Sequence, residues 1–445
     1  MAGGTFTSEN KVRPGVYIRF TSSRSLELTV SDRGTVAIAE ALSWGPVGTV
    51  QTIEAGADMT PYTGYDATNT KNLFLQEIFK GTNRTAAPRT VLLYRLGATG
   101  QAQATATVEP LTATAKYPGT RGNDISIVIT ALTTPENTFT VSTVVDGDIV
   151  DQQTARTVAD LVANDWVNWS GTGALNATTG ANLANGVDGT PASSNYSNFL
   201  TAIEPYKFDV LIYDGSDATV QNAMVAFVKR MNEEAGTYTQ LVAAGLTNLD
   251  SRYVINVNSG VVLSDGTNLT PQQVTWWAGG ATAGAKYNED LTYATYPGAV
   301  DVTAKLTNSG YEQAIQNGEF VLWADDGAVK VEYYTNSRVT YTPDITDVYH
   351  FNRTMRLVNT VANDIYRQFS DGYIGAVNNN EQGRMMFKSA VVGYLLTIQA
   401  NNGIQNFTAD DVEVLPGEAV DAILVNLAIQ VVGSVNKIYV TLEVN

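Results

Sequence analysis

Two apolar runs, 208–213 (Phe-Asp-Val-Leu-Ile-Tyr) and 239–244, flank a segment at 217–234 that carries Val220, Met224, Phe227, Val228 and Met231 on one helical side. Strand, helix and strand at this spacing leave few architectures open. A pair of parallel strands needs a long crossover, and a helix is its usual form. The runs at 35–40 (Thr-Val-Ala-Ile-Ala-Glu) and 91–96 read as further buried strands, and 72–80 as a short amphipathic helix. The fold class that follows is a multidomain α/β and α+β chain with an α/β layer at its core.

Residues 100–195 break that pattern. They are rich in Thr, Ala, Gly and Asn, with short alternating runs at 125–130, 138–145 and 148–153. This predicts an inserted, mostly β domain, with 170–195 as loop. The C-terminal hundred residues return to clear periodicity. A helix is predicted from Asp347 to Ser370, with Phe351, Met355, Val358, Val361, Ile365 and Phe369 on one stripe. A second runs from Glu381 to Ala400, followed by strands at 411–415 and 419–432. The final run alternates Ile438, Val440, Leu442 and Val444 against Lys437, Tyr439, Thr441 and Glu443. Near the start, Val16, Ile18 and Phe20 alternate in the same way behind a small, polar arm that ends in Pro14-Gly15. A terminal strand can pair within its own subunit, remain an open edge, or pair with another chain. The residues alone favour the first.

The net charge of −17 disfavours nucleic acid and anionic membranes as general partners. With no cysteine in the chain, disulfides and thiolate chemistry are excluded. Only 16% of residues are charged, and the Thr- and Asn-rich remainder suits packing against other protein. Neither a secretory signal nor a membrane-spanning run is recognised.

Chemistry finds little support. The single histidine, His350, reads as a capping or surface residue, and no Walker loop or Gly-x-Ser-x-Gly elbow occurs. Asp325-Asp326-Gly327 reads as a β-turn, Asp410-Asp411 as solvated, and the segment from Asp66 lacks the calcium-loop pattern. Trp276-Trp277 precedes a small-residue run and reads as core packing, with a sugar platform as the rival. No catalytic, metal or cofactor residue is proposed, and the chain is read as a non-enzyme.

An ordered set of segments resembles the contractile-tail sheath family of phages and phage-tail-like bacteriocins, most closely those of Gram-positive hosts. The set comprises Arg13-Pro-Gly-Val-Tyr-Ile18, Gly45-Pro-Val-Gly48, Tyr117-Pro-Gly-Thr-Arg-Gly-Asn123, Tyr296-Pro-Gly-Ala299, Phe369-Ser-Asp-Gly-Tyr-Ile-Gly-Ala-Val-Asn378, Leu415-Pro-Gly417 and Lys437-Ile-Tyr-Val440. The resemblance implies hexameric rings stacked helically around an inner tube, without cofactor, nucleic acid or membrane insertion. Its partners would be further copies of itself, the inner tail tube protein, and baseplate and tail-terminator proteins. It implies a particle assembled in the bacterial cytoplasm, with an extended sheath that is metastable and contracts when the baseplate triggers it.

The resemblance also divides the chain into an N-terminal arm with a linking strand (1–30), a core in two parts (31–99 and 196–344), the inserted domain (100–195), a C-terminal α+β domain (345–436) and a C-terminal linking strand (437–445). Strands exchanged between subunits are then expected at Val16, Ile18 and Phe20 and at Ile438, Val440, Leu442 and Val444. Hinges are expected at Pro14, Gly15, Gly433 and Ser434. Arg384 and Lys388, one helical turn apart, are candidates for contact with the tube. A non-phage injection particle and a surface-layer or adhesive β-protein are the alternatives.

Overall fold

Seven strands form the central sheet. From edge to edge they are Glu319–Phe320, Val254–Val257, Gln240–Ala244, Val210–Tyr213, Thr35–Glu40, Thr90–Arg95 and Val50–Glu54. All neighbours run parallel except the last pair. The computed structural model describes residues 33–443 and, before them, Gly3–Gly4, Val16–Tyr17 and Val30.

A parallel sheet of this kind is covered on both faces, so its strands are apolar throughout rather than alternating. Val36, Ile38, Val91, Leu93, Val210 and Ile212 point into one core. Their neighbours Ala37, Ala39, Leu92, Tyr94, Leu211 and Tyr213 point into the other. Helices Leu73–Ile78 and Pro271–Gly284 cover the first face, and Ser193–Ile203 and Ala218–Glu233 the second. Asp217 caps the last of these by accepting from the backbone N–H groups of Thr219 and Val220.

Helix Pro271–Gly284 shows why the small-residue run exists. Thr270 and Gln273 form a capping box at its start, with Pro271 in the first turn. The helix is then wedged between the sheet and the helix at 73–78. A Cβ on Gly279 would stand 2.4 Å from Ile212 Cδ1, and one on Gly280 only 2.0 Å from the Ile78 carbonyl oxygen. Trp277 stacks on Tyr296 at 4.0 Å and donates its indole N–H to Gly81. Both tryptophans are core residues.

The segment between the two halves of the core forms a sandwich. One sheet holds Asp148–Ala155, Phe139–Val145, Ile125–Ala131 and Thr178–Asn182; the other holds Val167–Ser170, Leu111–Ala115 and Thr105–Val108. Ile125, Ile127, Ile129, Val141, Leu111, Ala113 and Val167 fill the space between them. The strand at 178–182 and a helix beginning at Ser193 lie in the stretch expected to be loop. Pairing with Ile125–Ala131, not local composition, makes 178–182 a strand.

Two buried arginines join sandwich to core. Arg95 donates to the carbonyls of Gly45 and Pro118, and burial pulls its guanidinium down to about 10. Arg121 donates to the Gly64 carbonyl, pairs with Asp124 and Asp146, and lies 4.2 Å from the Tyr65 ring.

The chain divides into two compact units. One comprises Ser31–Asn363 with Val432–Asn445; the other is built on Asp364–Val431. The long helix Asn352–Gly372 is continuous across that division. Within the second unit, Glu381–Ala400 packs on a hairpin of Val412–Pro416 and Ile423–Leu427. Ile404–Gln405 and Gln430–Val431 form another two-stranded ladder. Phe387, Val391, Tyr394, Leu395 and Ile398 are its buried helix face. Asp364 is 1% exposed and accepts from the Tyr394 hydroxyl at 2.8 Å.

Candidate assembly surfaces

The last run of alternating residues was expected to be a strand. Among the described residues, 432–443 form no ladder with any other segment. Strand periodicity specifies which side chains share a face, but a strand also needs a partner. The segment is heavily exposed: Val435 82%, Ile438 78%, Tyr439 90%, Val440 75% and Leu442 86%. That is a contiguous apolar surface of the kind that marks an interaction site. Val444 lies outside the described residues, as do Pro14, Gly15, Ile18 and Phe20. Val16 and Tyr17 pair in parallel with Gly3 and Gly4.

The hairpin at 412–427 is the matching feature. It contains two strands only, and no described segment pairs with either outer edge. Unpaired N–H and C=O groups on such edges are a template for a further strand.

A cavity of about 490 Å³ opens in the same unit, lined by Phe369, Tyr373, Ile374, Phe387, Arg384 and Asp421 among others. Ile374 is 64% exposed. Asn379 organises the rim. Its Nδ2 donates to the carbonyls of Val420 and Ala422 at 2.9 and 2.8 Å, and its Oδ1 accepts from Arg384 Nη1 at 3.0 Å. Arg384 is therefore held in the lining of the cavity. Lys388 follows one turn later on the same helix, and both are half-buried.

Of the candidate hinges, Gly433 has open space around its Cβ position. Ser434 accepts a hydrogen bond from Arg353 Nη1 at 2.9 Å.

His350 is not a surface residue. It is 8% exposed, its Nδ1 lies 2.6 Å from the Arg338 carbonyl oxygen, and burial lowers its pKa. Asp326 and Gly327 both have positive φ, 47° and 77°, and close a two-residue hairpin between Leu322–Asp325 and Ala328–Val331. Asp411 closes a capping box with Thr408, so it is tied to its own turn. Among the described residues, no group of three metal-ligating side chains converges and no helix is long and apolar enough to cross a membrane.

One buried pair escaped sequence reasoning. Glu40 ends one central strand and Asp214 follows the strand beside it. Burial raises the Glu40 pKa well above its ordinary value, and the neighbouring Asp214 carboxyl adds to the effect. Asp214 is itself raised by burial and accepts from Trp276 Nε1 at 2.9 Å. The two carboxyls come from positions 174 apart in the sequence (214 − 40), and only sheet order makes them neighbours.

Comparisons with known proteins agree along the chain. Residues 33–96 match the family description "Tail sheath protein Gp18 domain III N-terminal region", and 98–188 "Phage tail sheath protein beta-sandwich domain". Residues 189–337 match "Phage tail sheath protein central domain", and 344–445 "Phage tail sheath C-terminal domain". The phage-like element PBSX protein XkdK of Bacillus subtilis is 35% identical over the full length of both chains. The crystal structure of a sheath tail protein from Desulfitobacterium hafniense is 40% identical, with a TM-score of 0.87 over 96% of this chain and 99% of that one. The anti-feeding prophage helical sheath in its contracted state shares the fold at 14% identity, with a TM-score of 0.59 over 98% and 99% of the two chains.

Proposed function

This chain belongs to the phage tail sheath family and is a structural subunit of a phage or phage-like contractile tail, and from that premise we propose how it assembles and works. Subunits form hexameric rings stacked helically around an inner tube. The extended stack is metastable, and contraction drives the tube through a bacterial envelope. The exposed apolar segment at 435–442, which pairs with no described segment, carries this reading. It serves as a strand donated to the open edge of a neighbour's C-terminal hairpin. Ladder hydrogen bonds then join the subunits, while alternate side chains set the register.

Such a link keeps bodies connected while they rotate. The work of contraction comes from additional surface buried between subunits, which needs no bound nucleotide. Arg384 and Lys388, with the apolar cavity between Phe369 and Phe387, form the surface that grips the tube in the extended state and releases it on contraction. The baseplate supplies the trigger, and a terminator caps the far end.

Electron microscopy of the purified protein tests the reading. Hollow striated cylinders or stacked rings are expected as concentration rises. A protein that stays monomeric under every assembly condition overturns it.

A further inference from the structure

The exposed segment does not hang from the end of the C-terminal unit. After Val431 the chain returns to the core body, and its first residues there are held by side chains of that body. Arg353, in the first turn of the helix Asn352–Gly372 and 8% exposed, donates from Nη1 to Ser434 Oγ at 2.9 Å. Tyr333, two residues past the strand Ala328–Val331, lies beside the side chain of Asn436. The Tyr333 ring is itself fixed edge-on against Phe351 at 5.8 Å. Val435, between Ser434 and Asn436, is 82% exposed, and exposure stays high from Ile438 to Leu442.

We infer that Arg353 and Tyr333 form a clip which fixes the root of the C-terminal segment on the core body, and that this clip sets the length of the tether between subunits. While the clip is closed, the free run begins after Asn436 and Gly433–Ser434 cannot act as the pivot. Opening it frees the five residues Val432–Asn436. At roughly 3.3 Å per extended residue this adds about 16 Å of reach. A tether with two lengths lets one donated strand stay paired while the distance between bodies changes. The consequence for a neighbour rests on the strand donation proposed above; the clip itself does not.

The absence of cysteine makes the test clean, because two introduced thiols can be spin-labelled without background. Tyr439→Cys on the exposed run and Gln316→Cys on an exposed helix of the core body place one label on each side of the clip. Pulsed dipolar spectroscopy on dilute, unassembled protein should give a narrow distance distribution. Adding Ser434→Ala and Tyr333→Phe removes two hydroxyls and keeps both packing positions filled. The distribution should then broaden, with its far edge moving out by up to about 16 Å. A broad distribution without those changes, or the same narrow one with them, overturns the clip. The measurement needs no assembly, so failure of strand donation is read separately, from the cylinders.

Discussion

The core body and the C-terminal unit solve the strand-edge problem in opposite ways. In the core, seven strands are covered on both faces by helices, and one edge carries an antiparallel strand. Several of its buried polar groups are tied by hydrogen bonds: Arg95 and Arg121 on carbonyls and carboxylates, and Trp277 on Gly81. In the C-terminal unit, ladders among the described residues are two strands wide, and no described segment pairs with the hairpin edges. The core body's own C-terminal segment leaves its apolar side chains in solvent. On the proposed mechanism, a body that rotates without deforming gains from the first design, and a joint that recruits a second chain gains from the other.

The largest expected effect breaks the joint and spares the body. Deleting Lys437–Asn445 should abolish polymerisation, seen as loss of cylinders and of fast-sedimenting material. The thermal midpoint should barely move, because the segment is exposed in the single chain. Normal sheaths from that truncation would refute strand donation.

Next in size is the reverse experiment. Trp277→Ala removes a fully buried ring from its stack on Tyr296 and leaves the Gly81 carbonyl without its donor. A loss of about 3–5 kcal/mol is expected by urea unfolding. Polymerisation should fail only in proportion to the unfolded fraction.

Glu40→Gln probes the body more gently, through pH. The folded-state pKa of Glu40 is raised, so the protonated carboxyl is the form the fold prefers. Its contribution is complete below the ordinary value of 4.5 and is lost as pH rises towards the raised value. The wild type should therefore lose stability above pH 4.5 with a slope of at most about 1.4 kcal/mol per pH unit from this group. Glu40→Gln should flatten that slope and leave the protein more stable near neutrality. Urea midpoints across pH 4 to 9 read it, and parallel curves for the two proteins would reject the raised Glu40 pKa.

The smallest effect on stability is expected for Arg384→Glu with Lys388→Glu, about 1 kcal/mol for the lost bond to Asn379. Assembly of extended sheaths on tubes should nevertheless fall, and unchanged co-sedimentation with tubes would remove the tube-contact role.

Much of the secondary structure was legible because local pattern and tertiary use coincide. The helix from Glu381 to Ala400 and the strand from Thr35 to Glu40 were read with their observed bounds. The small residues after Trp277 were read as a close-approach surface, and Ile212 and Ile78 are what they approach. The strand at 178–182 was not legible, since Thr-Thr-Gly-Ala-Asn becomes a strand only by pairing with Ile125–Ala131. His350 reads locally as a capping or surface residue, and nothing local shows that the Arg338 carbonyl will cover it. Arg384 is legible as half of a basic pair, but its bond to Asn379 and its place in the cavity lining are not.

The sequence by itself determined the α/β core, the β-rich insertion, the family and the alternating apolar character of the C-terminal segment. Periodicity, composition and ordered motifs are properties of the chain read along its length. Tertiary structure alone decided that this segment forms no ladder with any other described segment, that Arg353 reaches Ser434 near its root, and that Glu40 meets Asp214. Each of these depends on residues distant in sequence brought together by sheet order and packing, and a period of two cannot say what, if anything, lies alongside a strand.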